Sequence, residues 1–296
     1  MSTAGTVVEG NHVNPVPAAE RHGGPGQQFW LWAGFNTNVF NLVLGGALVA
    51  LGLTFWQAVL AILIGTAIGA GLIALHAMQG PRLGVPQMLQ SRAQFGFYGN
   101  SFLLVAVLVL NLGFIAAQLA IEGIALNIVA PAVPVWGWIV ILTPPALLIG
   151  VIGYAWIHRA AQATAVAAGI TIVVMLVQGL IYGPLPAAQA GLAAPHWGLF
   201  LAGVALLVID LLSFGPFVSD YSRYLPDSVR PGRLAAGIWA GNVLATAVSC
   251  IVGAYLAALL PKLGTIAAIG QVCGRAVLVI MAGSLIIGCT VNAYTG

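Results

Sequence analysis

The stretch DLLSFGPFVSDYSRYLPD, residues 210–227, decides how this chain is read. It begins inside a long apolar run, crosses a Ser-Phe-Gly-Pro break at 213–216, and ends among charges and tyrosines. Pro216 lacks an amide donor and its ring clashes with the preceding turn, so a helix entering this stretch stops there. In water such a stop is ordinary. In a bilayer it survives only where the freed backbone groups line a cavity or meet protein. The solvent around the chain is therefore the first thing to establish.

Composition establishes it. Of 296 residues, 60% are hydrophobic and 5% charged, against about 25% charged in a soluble domain; the mean hydropathy is +1.03. Such a chain cannot cover itself with polar surface. Charges are absent from 23–81, 93–121, 123–157 and 160–209, runs long enough for helices that cross a bilayer with ~20 apolar residues each. A membrane barrel would alternate polar and apolar positions; these runs are continuous. The expectation is an all-α integral membrane protein with about eight spans, near 29–50, 55–78, 101–129, 135–156, 162–183, 197–218, 234–260 and 275–296. Turn chemistry separates them: GPRLGVP at 80–86, APAVP at 130–134, GPLPAAQAGLAAP at 183–195 and LPDSVRPGR at 225–233.

Basic residues orient the spans. With the N-terminus inside, Arg21, Arg82, Arg92, Arg159, Arg223, Arg230 and Arg233 fall on the inner side, and Lys262 and Arg275 outside. The domain reading is a mobile polar cytoplasmic tail over 1–28 and a multi-pass transmembrane domain over 29–296, in the plasma (inner) membrane. The chain stops at NAYTG straight after an apolar run, without a basic flank, which reads as a truncation. The slight net charge of +3 gives no reason to expect nucleic acid. Tryptophans 30, 32, 56, 136, 138, 156 and 197 lie near span ends and read as an interfacial belt. Cys250, Cys273 and Cys289 have no metal-like spacing and read as small packed residues.

Two acids fall inside spans, Glu122 and Asp210. An acid at a helix centre costs roughly 2.5–3.5 kcal/mol on insertion scales, so it faces a cavity or a partner. Asn111, Phe114, Gln118 and Glu122 share one helix face. Interhelical hydrogen bonding and the lining of a substrate path are both open for that stripe. In the first span, Asn36, Thr37, Asn38 and Asn41 weaken the helix locally. The first and sixth spans are thus both interrupted, five apart, which is the sequence pointer to the binding site of a secondary transporter.

At this point GPRLGVPQMLQSRAQFGFYGN (80–100), SDYSRYLP (219–226) and GLTFWQAVLAILIG (52–65) resemble the segment joining helices two and three, the motif after helix six, and helix two of the nucleobase–cation symport-1 family, which includes the purine–cytosine permeases. The resemblance implies the LeuT-like fold, an inverted repeat of five plus five helices, of which this chain holds the first repeat and part of the second. It implies uptake of a nucleobase or related heterocycle driven by Na⁺ or H⁺. It places Phe114, where a Trp is usual in the family, as the ring that stacks on substrate, with Gln118 beside it; Asn111 joins them as a substrate-lining candidate by helix face alone. Ser213 and Phe214 match the unwound substrate-facing stretch. GCTVNAYTG (288–296) corresponds to the helix that supplies sodium ligands and a substrate-facing Asn, so it implies Thr290 and Asn292; carbonyls around Gly34 to Asn38 complete the implied sodium site.

The residue chemistry is compatible. A flat base stacks on an aromatic face, and an amide such as Gln118 both donates and accepts. Asp210 or Glu122 is a candidate for carrying a coupling proton or for base recognition. Asp220, Arg223 and Asp227 read as inner ion pairs. A membrane enzyme is a rival class, but His12, His22, His76, His158 and His196 form no HxxxH or HExxH pair. A passive channel and a nonfunctional fragment are further alternatives. No cofactor beyond the coupling ion and no obligate protein partner is expected.

Overall fold

The computed structural model describes residues 13–152, 154–187 and 196–295. Among them the regular structure is helical throughout. The helices run α1 (Pro25–Asn36), α2 (Val39–Ala50), α3 (Phe55–Ala77), α4 (Gly80–Leu83), α5 (Gln87–Gln90), α6 (Arg92–Val129), α7 (Val135–Ile152), α8 (Tyr154–Tyr182), α9 (Trp197–Leu212), α10 (Val218–Ser222), α11 (Pro231–Leu259), α12 (Thr265–Cys273), α13 (Arg275–Gly283) and α14 (Leu285–Thr295). Among the described residues, five spans are long and apolar enough to cross a membrane, six if the bent pair α1–α2 counts as one. Two shorter apolar helices, Val135–Val151 and Trp197–Leu212, fall where the fourth and sixth spans were expected.

Both interruptions are real breaks. Between α1 and α2 the axis bends by 59°. Thr37 leaves the helical region and Asn38 is extended. The polar quartet is what makes this tolerable. Thr37 Oγ1 donates to Ala33 O at 2.7 Å, Asn38 Nδ2 to Phe35 O at 2.6 Å and Asn41 Nδ2 to Asn36 O at 2.7 Å. Asn38 Oδ1 accepts from the Asn41 amide at 2.9 Å, capping α2. Side chains thus satisfy the backbone groups that water would meet elsewhere. In the sixth span, α9 ends at Leu212 in a tightened turn, where the Phe214 amide donates to Leu211 O and that of Gly215 to Leu212 O. Pro216 follows, and α10 begins afresh at Val218.

The helices fall into two packed groups. One is α1, α2, α3, α9 and α11; the other is α6, α7, α13 and α14, with α8 bridging them. Glycines set the spacing in the first group. A Cβ on Gly45 would lie 1.8 Å from Cys250 O, and one on Gly253 1.9 Å from Leu42 O, so α2 and α11 touch backbone to backbone. Small residues are how helices associate where lipid removes any hydrophobic drive.

Several expectations need correction. The fifth span begins at Tyr154, not near 162. The His158–Arg159 pair lies within α8 and does not mark its edge: Arg159 stays over the Trp156 ring, 5.9 Å from its centroid, because a long cationic side chain can reach along the helix surface. α12 occupies a stretch read as a loop. The third span starts at Arg92 and is broken by Gly96, whose φ of 66° only glycine adopts freely. Part of the tail, within 13–24, is docked on the helices. The Val16 amide donates to Gly84 O, the His22 amide to Tyr224 O, and Arg21 to the carbonyls of Val16 and Pro81. Residues 1–12 lie outside the described residues.

Candidate functional site

The two breaks meet. Phe35, at the end of α1, and Phe214, in the sixth-span break, stand edge to face with centroids 4.6 Å apart. Phe214 in turn lies 6.0 Å from Phe114 of α6, and Phe114 6.2 Å from Phe40 of α2. Trp32 touches Phe35, Phe214 and Tyr221 at about 6 Å. Rings from both helix groups therefore converge at the junction between the groups, with Phe114 half-buried among them.

Beside these rings runs a polar seam between α6 and α14. Asn111 Nδ2 approaches Thr295 Oγ1 at 3.5 Å. One face further along, the Gln118 amide packs on Gly288, where a Cβ would lie 2.8 Å from Gln118 Oε1. Asn292, one turn from Gly288, donates Nδ2 to Gly288 O at 2.9 Å. Glu122 stands next, fully buried and beside Cys289. Asn111 Oδ1, Gln118 Oε1, Asn292 Oδ1 and both Glu122 oxygens have no donor among the described residues. Phe114, Gln118, Asn111, Phe214 and Asn292 are thus brought to one region.

The remaining candidates divide. Ser213 Oγ donates to Asp210 O at 2.5 Å and so serves the end of α9. Asp210 is buried beside Cys250 of α11, on a different side from Glu122, and its Oδ2 has no partner among the described residues. Gly34 packs directly on the Ala161 carbonyl of α8. Thr290 donates its hydroxyl to Ala146 O of α7 at 3.0 Å. Asn38 is the cap already described.

Sequence reasoning missed several members. Trp32, read as interfacial, is buried in the ring cluster, and its indole N–H has no partner among the described residues; its spacing of three from Phe35 was the available signal. Asn242 and Ser249 of α11 reach the first break, Asn242 Oδ1 accepting from Asn36 Nδ2 at 2.9 Å and Ser249 Oγ donating to Asn36 O at 3.3 Å. They share a helix face, a signal hidden in an apolar run.

At the Arg92 end lies a cavity of about 960 Å³, bounded by Asn100 and Leu104 of α6, Gly150 of α7, and Tyr294 and Thr295 of α14. Asp220 and Arg223 of the 219–226 motif line its edge. Asp220 Oδ1 accepts from the Gln87 amide at 2.6 Å, and Arg223 donates to Asn14 O at 3.4 Å and to the Tyr224 hydroxyl at 3.1 Å. Ser219 and Ser222 donate to the carbonyls of His76 and Ala77.

Residues 15–294 match the family described as permease for cytosine/purines, uracil, thiamine, allantoin. The chain belongs to this permease family. Its relatives include "Putative purine-cytosine permease YxlA" of Bacillus subtilis, 34% identical over 257 residues, covering 86% of this chain and 55% of the relative. Purine-cytosine permease fcyB of Emericella nidulans is 24% identical over 241 residues, covering 80% of this chain and 47% of that protein. The chain spans about half the length of these curated permeases. Among solved structures, Mhp1, a nucleobase-cation-symport-1 family transporter in a closed conformation with bromovinylhydantoin bound, superposes with a TM-score of 0.80 at 18% identity, over 98% of this chain and 69% of that one. The inward-facing conformation of Mhp1 gives 0.74 at 17% identity, over 99% and 74%. The fold of this permease family member is therefore the LeuT-like transporter fold. Its relatives are permeases and not enzymes.

Proposed function

We propose that this chain forms the substrate-binding part of a secondary transporter that carries a nucleobase or a related flat heterocycle into the cell with a cation, Na⁺ or H⁺. The convergence of Phe114 and Phe214 at the meeting of two broken helices carries this reading. Two rings at 6.0 Å, tilted by 39°, are too close for a base to slip between them without a small opening. Moving one helix group against the other would supply it, and the aromatic face would then grip the base at ~1–3 kcal/mol. Gln118 reads the base edge, donating and accepting from one amide, with Asn292 and Asn111 along the same seam. The names of the relatives, purine-cytosine permeases, and the hydantoin bound in Mhp1 support a substrate of this size and shape. We place the N-terminus on the cytoplasmic side of the plasma membrane on the Arg distribution.

The test is counterflow in proteoliposomes holding the full natural polypeptide, with a panel of cytosine, uracil, adenine, hypoxanthine and hydantoin, and with Na⁺ and pH varied independently. Trans-stimulated uptake of one of these, lost in F114A and Q118A, is expected. Leak without trans-stimulation would favour a channel, and no uptake of any heterocycle would remove the substrate assignment.

A further inference from the structure

We propose that Glu122 holds the coupling proton, so that H⁺ is the ion that drives this carrier. The inference rests on the symport reading above and adds the ion and the atom that binds it.

Glu122 lies in a spanning helix, fully buried, with neither carboxylate oxygen given a donor by the described residues. A bare carboxylate in such a place needs a cation, a donor or a proton. The helices packed on α6 are α2, α5, α7, α12, α13 and α14. Of these, α2, α5 and α7 contain no titratable residue. α12 offers Cys273, α14 Cys289 and Tyr294, and α13 only Arg275, at its exposed start. On α6 itself the other charge is Arg92, at the opposite end, and the only other titratable group is the exposed Tyr98. Among the described residues of these helices, no Lys, Arg or His other than Arg92 and Arg275 is present to pair with the carboxylate. A fixed ion pair is thus not how this acid is accommodated, and a proton is.

The seam supplies a path. Thr295 both lines the 960 Å³ cavity and meets Asn111. Gln118 against Gly288 and then Glu122 follow along the same helix pair. Every open atom on the seam is an acceptor oxygen, so the group missing from it is a donor. A carboxylate taking a proton from hydronium becomes a neutral acid and leaves water. The neutral acid has the O–H the seam lacks; loss of the proton to water on the other side reverses the step. Towards the Val129 end, α12 packs on α6, with Ile269, Cys273, Leu126 and Ile128 in one apolar cluster.

The competing ion is less well provided for. Sodium would take oxygens of the first break, where Ala33 O, Phe35 O and Asn36 O each accept a side-chain donor, so the ion would share those carbonyls with the donors already on them.

The experiment uses the full natural polypeptide in proteoliposomes with whichever heterocycle of the panel above the wild type exchanges. For one proton per substrate, each pH unit of gradient supports up to about tenfold accumulation. The wild type should accumulate on a pH gradient without Na⁺. E122Q, which mimics the protonated acid, should keep counterflow and lose gradient-driven accumulation, its ratio falling to about one. Undiminished accumulation by E122Q, or wild-type accumulation that follows Na⁺ and ignores the pH gradient, overturns the assignment while leaving the transporter reading intact. So does loss of both counterflow and binding in a correctly folded E122Q, which would make the residue a substrate contact. Should E122Q fail to fold, dicyclohexylcarbodiimide labelling of the wild type decides: an adduct on Glu122 that grows as pH falls supports the proposal, and none at any pH sinks it. Absence of wild-type counterflow for every heterocycle would instead strike the function itself.

Discussion

Phe35 and Phe214 lie 179 positions apart in the chain and 4.6 Å apart in space, edge to face. Each sits beside a break in its helix, so the contact ties the two breaks together. The Phe214 ring also reaches Phe114 on the opposing helix group. This one side chain therefore senses both groups, and the predictions below follow from what surrounds it.

Removing the Phe114 ring should weaken base binding by about 1–3 kcal/mol, or roughly 5- to 150-fold. F114W keeps a stacking face and should bind at least as tightly. Equilibrium binding of labelled base to purified F114A and F114W checks this, with thermal unfolding expected to change little because the residue is only half-buried.

Asn38 holds both sides of the first break. N38A loses the cap on the Asn41 amide and the bond to Phe35 O, and should cost about 1 kcal/mol or somewhat more. A lower unfolding temperature in detergent is the readout. N38D keeps the capping oxygen and should recover part of the loss.

Gly45 should tolerate nothing larger. Even alanine would drive a methyl into Cys250 O, forcing α2 from α11 at about 1–3 kcal/mol, as overpacked cores do. Size-exclusion profiles of G45A and G45V should show graded loss of monodisperse protein, whereas Gly169, with open space around its Cα, should accept alanine silently.

Asp220 fastens the α5 segment to α10. D220A leaves the Gln87 amide without its acceptor, a loss of about 1–3 kcal/mol for a buried donor. Amide hydrogen exchange over 84–91 should quicken, with the core of α11 unaffected.

Much of this was legible in the residues. The bilayer was unavoidable at 5% charge, and both breaks were visible because Asn, Thr, Gly and Pro are poor in helices. The Asn111–Phe114–Gln118–Glu122 face followed from helical periodicity alone. What escaped shows the limit of that reasoning. Trp32 obeys the same rule as Trp30 in sequence, yet one is buried in the ring cluster and the other faces outward. That Thr290 donates its hydroxyl across to Ala146 of α7 could not be read from its own segment. The docked tail, 13–24, has no apolar periodicity to announce it; it is held by backbone hydrogen bonds to Gly84 and Tyr224.

Local chemistry thus dictated the solvent, the spans and the places where helices must stop, since each depends on a residue and its near neighbours. Which polar groups face each other depended on packing. The antiparallel seating of α6 on α14 set Gln118 on Gly288 and left Glu122 without a donor. Helix–helix register is settled by close contacts among residues far apart in the chain, and no single segment carries that information.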